Sequence, residues 1–202
     1  MGYNVIGYDP SSFYLREAEK TVLRSDAHSN IKLKFIRGDP YNSSNVLSSK
    51  KMKFDAIIIM DNSLGYFGKL EDTLMLRDLF KVASKNCPLI LETENRDWRL
   101  SNFEPVTLFS SDKIEMHSTW KFDFETSVSI GESIFYNKIN NVNSNLQLAL
   151  KINIRYRLYS LHELREILNT SGWIYKEAFD DIISLKPFFN DSLSIFSVSI
   201  RK

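Results

Sequence analysis

Little glycine, one cysteine and almost no net charge limit what this chain can be. Cys87 is the only cysteine among 202 residues, which excludes intrachain disulfides and cysteine-rich zinc sites. Its place before Pro88 and an apolar run marks it as a packed thiol rather than a nucleophile. Lys and Arg number 26 against 25 Asp and Glu, a net charge of +1, so no electrostatic argument points to nucleic acid or an acidic membrane. Lys50, Lys51 and Lys53 make only a short charged loop, not a basic stripe. No apolar run approaches the ~20 residues of a membrane span, and no basic, apolar, cleavable signal opens the chain; the expectation is a cytoplasmic protein. His28, His117 and His162 lack metal-ligand spacing, so no metal site is expected. The seven glycines, at 2, 7, 38, 65, 68, 131 and 172, nowhere form G-x-G-x-G, so these residues hold no glycine-rich nucleotide loop.

What is present fits one globular domain with a real core: 43% hydrophobic and 25% charged residues are ordinary values. Residues 3–8 are a short apolar strand ending at Asp9. Leu15, Ala18, Val22 and Leu23 then share a helical face, with Ser11 or Ser12 as cap. Residues 31–36 alternate apolar and polar, as a strand with one wet face does, and end at Gly38-Asp39-Pro40. Residues 41–52, rich in Ser, Asn and Lys, read as loop. Residues 54–60 are nearly all apolar, as expected of a central parallel strand buried on both faces. Leu76, Leu79, Phe80 and Ala83 predict a helix over about 70–85, and residues 88–91 another buried strand that ends at Glu92–Asp97.

From 105 to 159 the pattern changes to alternating β-formers with little Gly or Pro. It predicts antiparallel strands at about 105–109, 113–124, 127–139 and 146–158, with a turn at 140–143. Ser160-Leu-His-Glu163 is a capping box that leaves His162 exposed in the first turn. The helix it opens turns Leu161, Leu164, Ile167 and Leu168 inward and stops at Gly172. Two strands, 173–179 and 192–200, close an α/β chain.

The chemistry lies at strand ends. Asp9 follows a strand and precedes a helix, where a carboxylate can accept hydrogen bonds from both hydroxyls of a ribose; the plain alternative is a helix-start acid. Asp39 ends the next strand after a glycine, or is simply a turn residue before Pro40. Asp61-Asn-Ser-Leu-Gly-Tyr-Phe-Gly68 follows the third parallel strand. In open α/β sheets, ligands bind outside the carboxyl ends of strands.

The ordered set Gly2-Tyr-Asn-Val-Ile-Gly-Tyr-Asp9-Pro-Ser, Gly38-Asp39, Phe54-Asp-Ala-Ile-Ile-Ile with Asn62-Ser-Leu-Gly-Tyr-Phe67, and Arg157-Leu-Tyr-Ser-Leu-His-Glu-Leu164 before Ser171-Gly-Trp173 resembles a class I S-adenosylmethionine-dependent methyltransferase. The likeness is to the small-molecule branch with a β insertion. It implies a Rossmann-like sheet of order 3-2-1-4-5-7-6, with strand 7 antiparallel. The core is expected at 1–104 and 159–202, with an antiparallel insertion at 105–158 covering the acceptor. It further implies S-adenosylmethionine as cofactor. Asp9 would hold the ribose, Pro10 and Ser11 would flank the adenine, and Asp39 would meet its amino group. Asn62, Leu64, Gly65 and Tyr66 would line the methionine side. Tyr66, Asn95, Arg96, Arg157 and Tyr159 would face a small-molecule acceptor, with a structural contact at the insertion's return as the alternative for Arg157 and Tyr159. Trp98 and Trp120 read as core.

The family begins with a strand, a glycine-rich loop and a helix that have no counterpart here, and that first strand is the centre of the sheet. The expectation is a truncated N-terminus, with the missing unit encoded upstream of Met1. The alternatives are a homodimer or partner chain that completes the sheet, or direct pairing of the flanking strands around a dead site. Functionally, methyl transfer to a small molecule stands beside a non-catalytic methyltransferase-like subunit that binds a protein partner. An NAD-dependent oxidoreductase fits Asp9 equally well but the insertion less well.

Overall fold

In a computed structural model, residues 2–24, 32–49, 52–139 and 146–202 are described. The expected turn at 140–143, His28, Lys50 and Lys51 lie outside them. The first elements are β1 (Asn4–Asp9), α1 (Ser12–Arg24), β2 (Lys32–Arg37), a 3-10 turn (Pro40–Asn42), α2 (Ser43–Ser49), β3 (Ile57–Ile59), α3 (Lys69–Val82), β4 (Pro88–Glu94) and α4 (Arg96–Ser101). After these come β5 (Val106–Ser110), β6 (Ile114–Asp123), β7 (Val128–Lys138), β8 (Leu146–Arg157), α5 (Leu161–Thr170), β9 (Ile174–Asp181), β10 (Lys186–Pro187) and β11 (Ser194–Ile200). Among the described residues no helix is long and apolar enough to cross a membrane.

The main sheet runs β10-β9-β11-β4-β3. β3 lies parallel to β4, with Ile57 opposite Leu89 and Ile59 opposite Leu91. β11 lies antiparallel between β4 and β9, the place expected of a last strand. β1 and β2 form a separate parallel pair, in register from Asn4–Lys32 to Asp9–Arg37. Among the described residues nothing pairs with the second edge of β1 or with the second edge of β3.

The core follows from strand alternation. Leu89 and Leu91 on β4 and Ile195 on β11 meet Leu76 of α3 and Leu164, Ile167 and Leu168 of α5, with Trp173 closing the layer. The Trp173 indole donates to the Leu76 carbonyl at 2.9 Å. Ile57 and Ile59 pack on this cluster, whereas Ile58, one residue out of phase, is 63% exposed. This corrects the expectation of a strand at 54–60 buried on both faces. Its regular part is three residues long, with Ile57 and Ile59 turned to the core and Ile58 to the open face. α1 tells the same story: it packs against β1 and β2, and none of its residues is buried.

Segment 41–52, expected as loop, contains α2. Ser and Asn are poor helix formers, so tertiary contacts must hold this helix. Ser43 and Leu47 are buried, and Leu47 joins Ile36 and Val82 in a second small cluster. The 3-10 turn is capped by Asp39, whose side chain accepts from Tyr41 N at 2.9 Å. α4 was also not expected; Asn95 caps it by accepting from Asp97 N at 3.1 Å.

Strands β5 to β8 form the expected antiparallel meander. Its inward face carries buried Ser118, Ser129 and Ser133, and the Trp120 ring lies over Gly131, where a Cβ would strike it. The chain then enters α5 through the expected capping box. Ser160 Oγ accepts from Glu163 N at 3.3 Å, and Glu163 Oε2 accepts from Ser160 N at 3.1 Å. Ser160→Ala should cost about 1 kcal/mol, a fall in melting temperature of roughly 2–4 °C in a chain of this size. Thermal unfolding followed by circular dichroism checks it. Gly172 ends the helix with φ of +95°, the left-handed conformation expected of a C-terminal glycine.

Candidate functional site

Parallel pairing of β1 with β2 brings their two terminal acids to the same edge. Asp9 Oδ1 accepts from Ser11 N at 2.6 Å, which bends the chain into α1. Gly38 N donates to the Asp9 carbonyl at 3.2 Å, and the Tyr8 hydroxyl donates to the Asp39 carbonyl at 3.0 Å. Among the described residues the Oδ2 atoms of Asp9 and Asp39 take no hydrogen bond, so each presents a free acceptor at a strand end. Pro10 is exposed and Ser11 half-buried beside them; the Pro10 carbonyl accepts from Arg37 Nε at 3.1 Å.

The loop after β3 is the most contorted backbone in the site. Asp61 and Asn62 both have positive φ, 58° and 54°, a conformation that costs energy outside glycine and recurs at ligand sites. β4 holds it open. Asp61 N donates to Glu92 Oε2, and Glu94 N donates to Asn62 Oδ1, both at 2.5 Å. Leu64 turns its side chain into the core, so it anchors the loop. Gly65 N donates to Asp72 Oδ2 at 3.0 Å, and its carbonyl accepts from Arg157 N at 2.8 Å. Gly65 has φ of +95°, and a Cβ there would overlap the Arg157 carbonyl. Tyr66 and Phe67 form the exposed rim. Phe67 meets Tyr41 edge-on at 4.6 Å, and Tyr66 faces Tyr156 at 6.3 Å.

The insertion closes the other side. A cleft of about 200 Å³ lies between the 65–69 loop and β8, lined by Tyr66, Lys69, Arg155 and Arg157 among others. A wider apolar groove of about 560 Å³ lies between Leu100, Phe103, Trp120, Phe122 and Phe124. The Tyr156 ring links the two sides, 6.5 Å from Trp120. Its hydroxyl donates to Glu94 Oε2 at 3.0 Å, and Glu94 also pairs with Arg99 at 2.5 Å. Burial, with Glu94 beside it, pushes the Tyr156 hydroxyl up to about 12. It is therefore a donor at working pH and not a base. Trp120, expected as core, is half-buried and lines the groove.

One expected acceptor contact, Asn95, turns inward instead, and Tyr159 takes the alternative given for it, a structural contact at the insertion's return. Asn95 is fully buried and donates to the carbonyls of Asn190 and Ser192 at 3.3 and 2.9 Å. Tyr159 is fully buried and donates to Asp72. Both satisfy buried polar groups, which is what a buried amide or phenol must do, and so support the site from behind. Arg96 and Arg157 share Glu163, at 2.8 and 2.6 Å; of the two, Arg157 also lines the 200 Å³ cleft. Cys87 is a packed thiol, as expected, pushed up by burial.

Tyr41, Asp72 and Tyr156 are not singled out by the sequence. Asp72 looks like an ordinary first-turn acid of α3. Only contacts to residues 31 and 87 positions away, Tyr41 and Tyr159, show that it is a hub.

No family model matches the chain, and no curated protein matches it in sequence. Solved structures do. One is an S-adenosylmethionine-dependent methyltransferase from Clostridium acetobutylicum, with a TM-score of 0.76 at 14% identity, covering 99% of this chain and 83% of that one. The CcbJ methyltransferase from Streptomyces caelestis gives 0.79 at 15% identity, over 98% and 75%. CalS10 from Micromonospora echinaspora, an amino pentose methyltransferase solved with S-adenosylmethionine bound, gives 0.64 at 12% identity, over 98% and 74%. These likenesses show the fold, which is that of the S-adenosylmethionine-dependent methyltransferases.

Proposed function

We propose that this chain transfers a methyl group from S-adenosylmethionine to a small-molecule acceptor. The observation that carries the reading is the pair of free carboxylate oxygens, on Asp9 and Asp39, at adjacent strand ends. The strained Asp61–Gly65 loop adjoins them through Tyr41 and Phe67. That acceptor set fits a nucleoside: Asp9 accepts from the ribose hydroxyls, and Asp39 accepts from the adenine amino group. Pro10 and Ser11 flank the base, and the Asn62–Tyr66 loop takes the amino-acid end.

The cofactor supplies an activated methyl on a sulfonium. When bound, it would deliver that methyl in line to an acceptor lone pair as the carbon–sulfur bond breaks, with the proton of an N–H or O–H acceptor passing to solvent. The protein's part is alignment and exclusion of water. Tyr66, Tyr156 and Arg157 wall the approach, and the inward face of the insertion covers the acceptor. Two of the structural neighbours are named for sugar substrates, which supports a small polar acceptor without naming it.

The reading includes a strand between β1 and β3, followed by a loop that approaches the methionine end and a helix over Ile58 and α1. The bare second edges of β1 and β3 and the exposure of Ile58 support it, because unpaired edges and open apolar faces are costly. The unit comes from upstream in the same polypeptide or from a second chain; the mass of the purified species separates the two.

Hydrogen exchange with and without S-adenosylhomocysteine tests the site. Protection should appear at residues 9–11, 39–41 and 61–66. Protection confined to other segments would refute the placement.

A further inference from the structure

We infer that Asp72 is a positioning residue that sets the cofactor-side loop by tying it to the foot of the insertion. The inference rests on the methyl-transfer reading above. Asp72 lies in the first turn of α3 and is fully buried. Its carboxylate takes three donors from three separate segments. Oδ1 accepts from the Tyr41 hydroxyl at 2.8 Å, and Oδ2 accepts from Gly65 N at 3.0 Å and from the Tyr159 hydroxyl. Tyr41 stands two residues after Asp39. Gly65 is the turn of the loop after β3. Tyr159 ends the return from β8, where Arg157 N holds the Gly65 carbonyl at 2.8 Å.

The Gly65 peptide is thus clamped from both sides, its N–H by Asp72 and its carbonyl by Arg157. Charge-assisted hydrogen bonds are about twice as strong as neutral ones, and a low-dielectric setting strengthens them further. Burial pushes the Asp72 carboxyl up, and the hydrogen bonds from Tyr159, Tyr41 and Gly65 oppose it. The two tyrosines are pushed up as well, by burial and by Asp72, so both remain donors. Among the described residues, no hydrogen bond of this carboxylate is directed to the open site. The same network places the Asp39 turn, the Gly65 loop and the insertion's foot relative to one another. Loosening any arm displaces the side that binds the nucleoside.

The test uses Asp72→Asn, Tyr159→Phe and, as a control of comparable thermal cost, Leu168→Val, a core change outside the network. Glycine-selective 15N labelling gives few resonances, since the protein has seven glycines, and reports the Gly65 N–H directly. S-adenosylhomocysteine affinity is measured in parallel on the sheet-completed protein. Asp72→Asn should move the Gly65 amide resonance upfield and weaken binding at least roughly 10-fold. Tyr159→Phe should shift the same resonance and weaken binding by a smaller factor, and Leu168→Val should do neither. If Asp72→Asn fails to fold, Tyr159→Phe carries the comparison alone. Unchanged affinity in folded Asp72→Asn or Tyr159→Phe, with wild type binding, overturns the inference, as does an unmoved Gly65 resonance. If wild type itself does not bind, the methyl-transfer reading fails instead, and the Gly65 resonance still decides whether the clamp exists.

Discussion

Gly65→Ala should lower the melting temperature by roughly 6–12 °C and abolish cofactor binding. Two costs add. An L-residue at φ of +95° pays on the order of 1–2 kcal/mol for the left-handed conformation. The new Cβ would also overlap the Arg157 carbonyl, and that carbonyl belongs to a backbone held by its own N–H to Gly65. Neither strand of contact can yield without releasing the other. A total near 3 kcal/mol, at roughly 2–4 °C per kcal/mol in a chain of this length, gives the stated range. The function should fail further than the fold, because the loop that moves is the one proposed to face the ligand. Thermal unfolding and an S-adenosylhomocysteine titration on the same sample separate the two losses. An alanine variant that melts and binds like wild type would show that the loop is not built as described.

The second large effect is on affinity alone. Asp9→Ala should weaken S-adenosylhomocysteine binding by about 100-fold or more. Hydrogen bonds to a charged group are worth about 1.5–3 kcal/mol each, and a ribose offers two hydroxyls, so about 3 kcal/mol is at stake, which exceeds a factor of 100. Asp9 also accepts from Ser11 N at the entry to α1, so a fall of about 1 kcal/mol in stability should accompany it. Asp9→Asn keeps an acceptor without the charge and should fall between the two. Equal affinity for wild type and Asp9→Ala would place the ribose elsewhere.

The strand-end acids were readable in sequence because each sits where an apolar run stops and a turn begins. Asp9 and Asp39 need only local pattern and the parallel pairing of their strands. The capping box at Ser160 and the stop at Gly172 are likewise local. What local pattern could not show depends on partners far along the chain. α2 has a helix-poor composition and forms because Leu47 finds Ile36 and Val82. Tyr159 reads as either an acceptor contact or a structural contact at the insertion's return, and only its partner Asp72, 87 residues away, decides between them. Ile58 reads as the middle of a doubly covered strand, yet it is 63% exposed, because the sequence of a strand does not show which of its faces another element covers. In each case the residue type was visible and the partner was not.

The central claim is that Asp9, Asp39 and the Asp61–Gly65 loop form the cofactor side of a methyltransferase site, completed by a strand between β1 and β3. Calorimetric titration of S-adenosylhomocysteine tests it most directly, run on residues 1–202 and on the protein extended upstream or joined by its partner chain. One site per completed sheet is expected, clearly tighter than any binding to residues 1–202 alone, and lost in Asp9→Ala. Absence of binding in the completed protein, or binding that Asp9→Ala leaves unchanged, would contradict it.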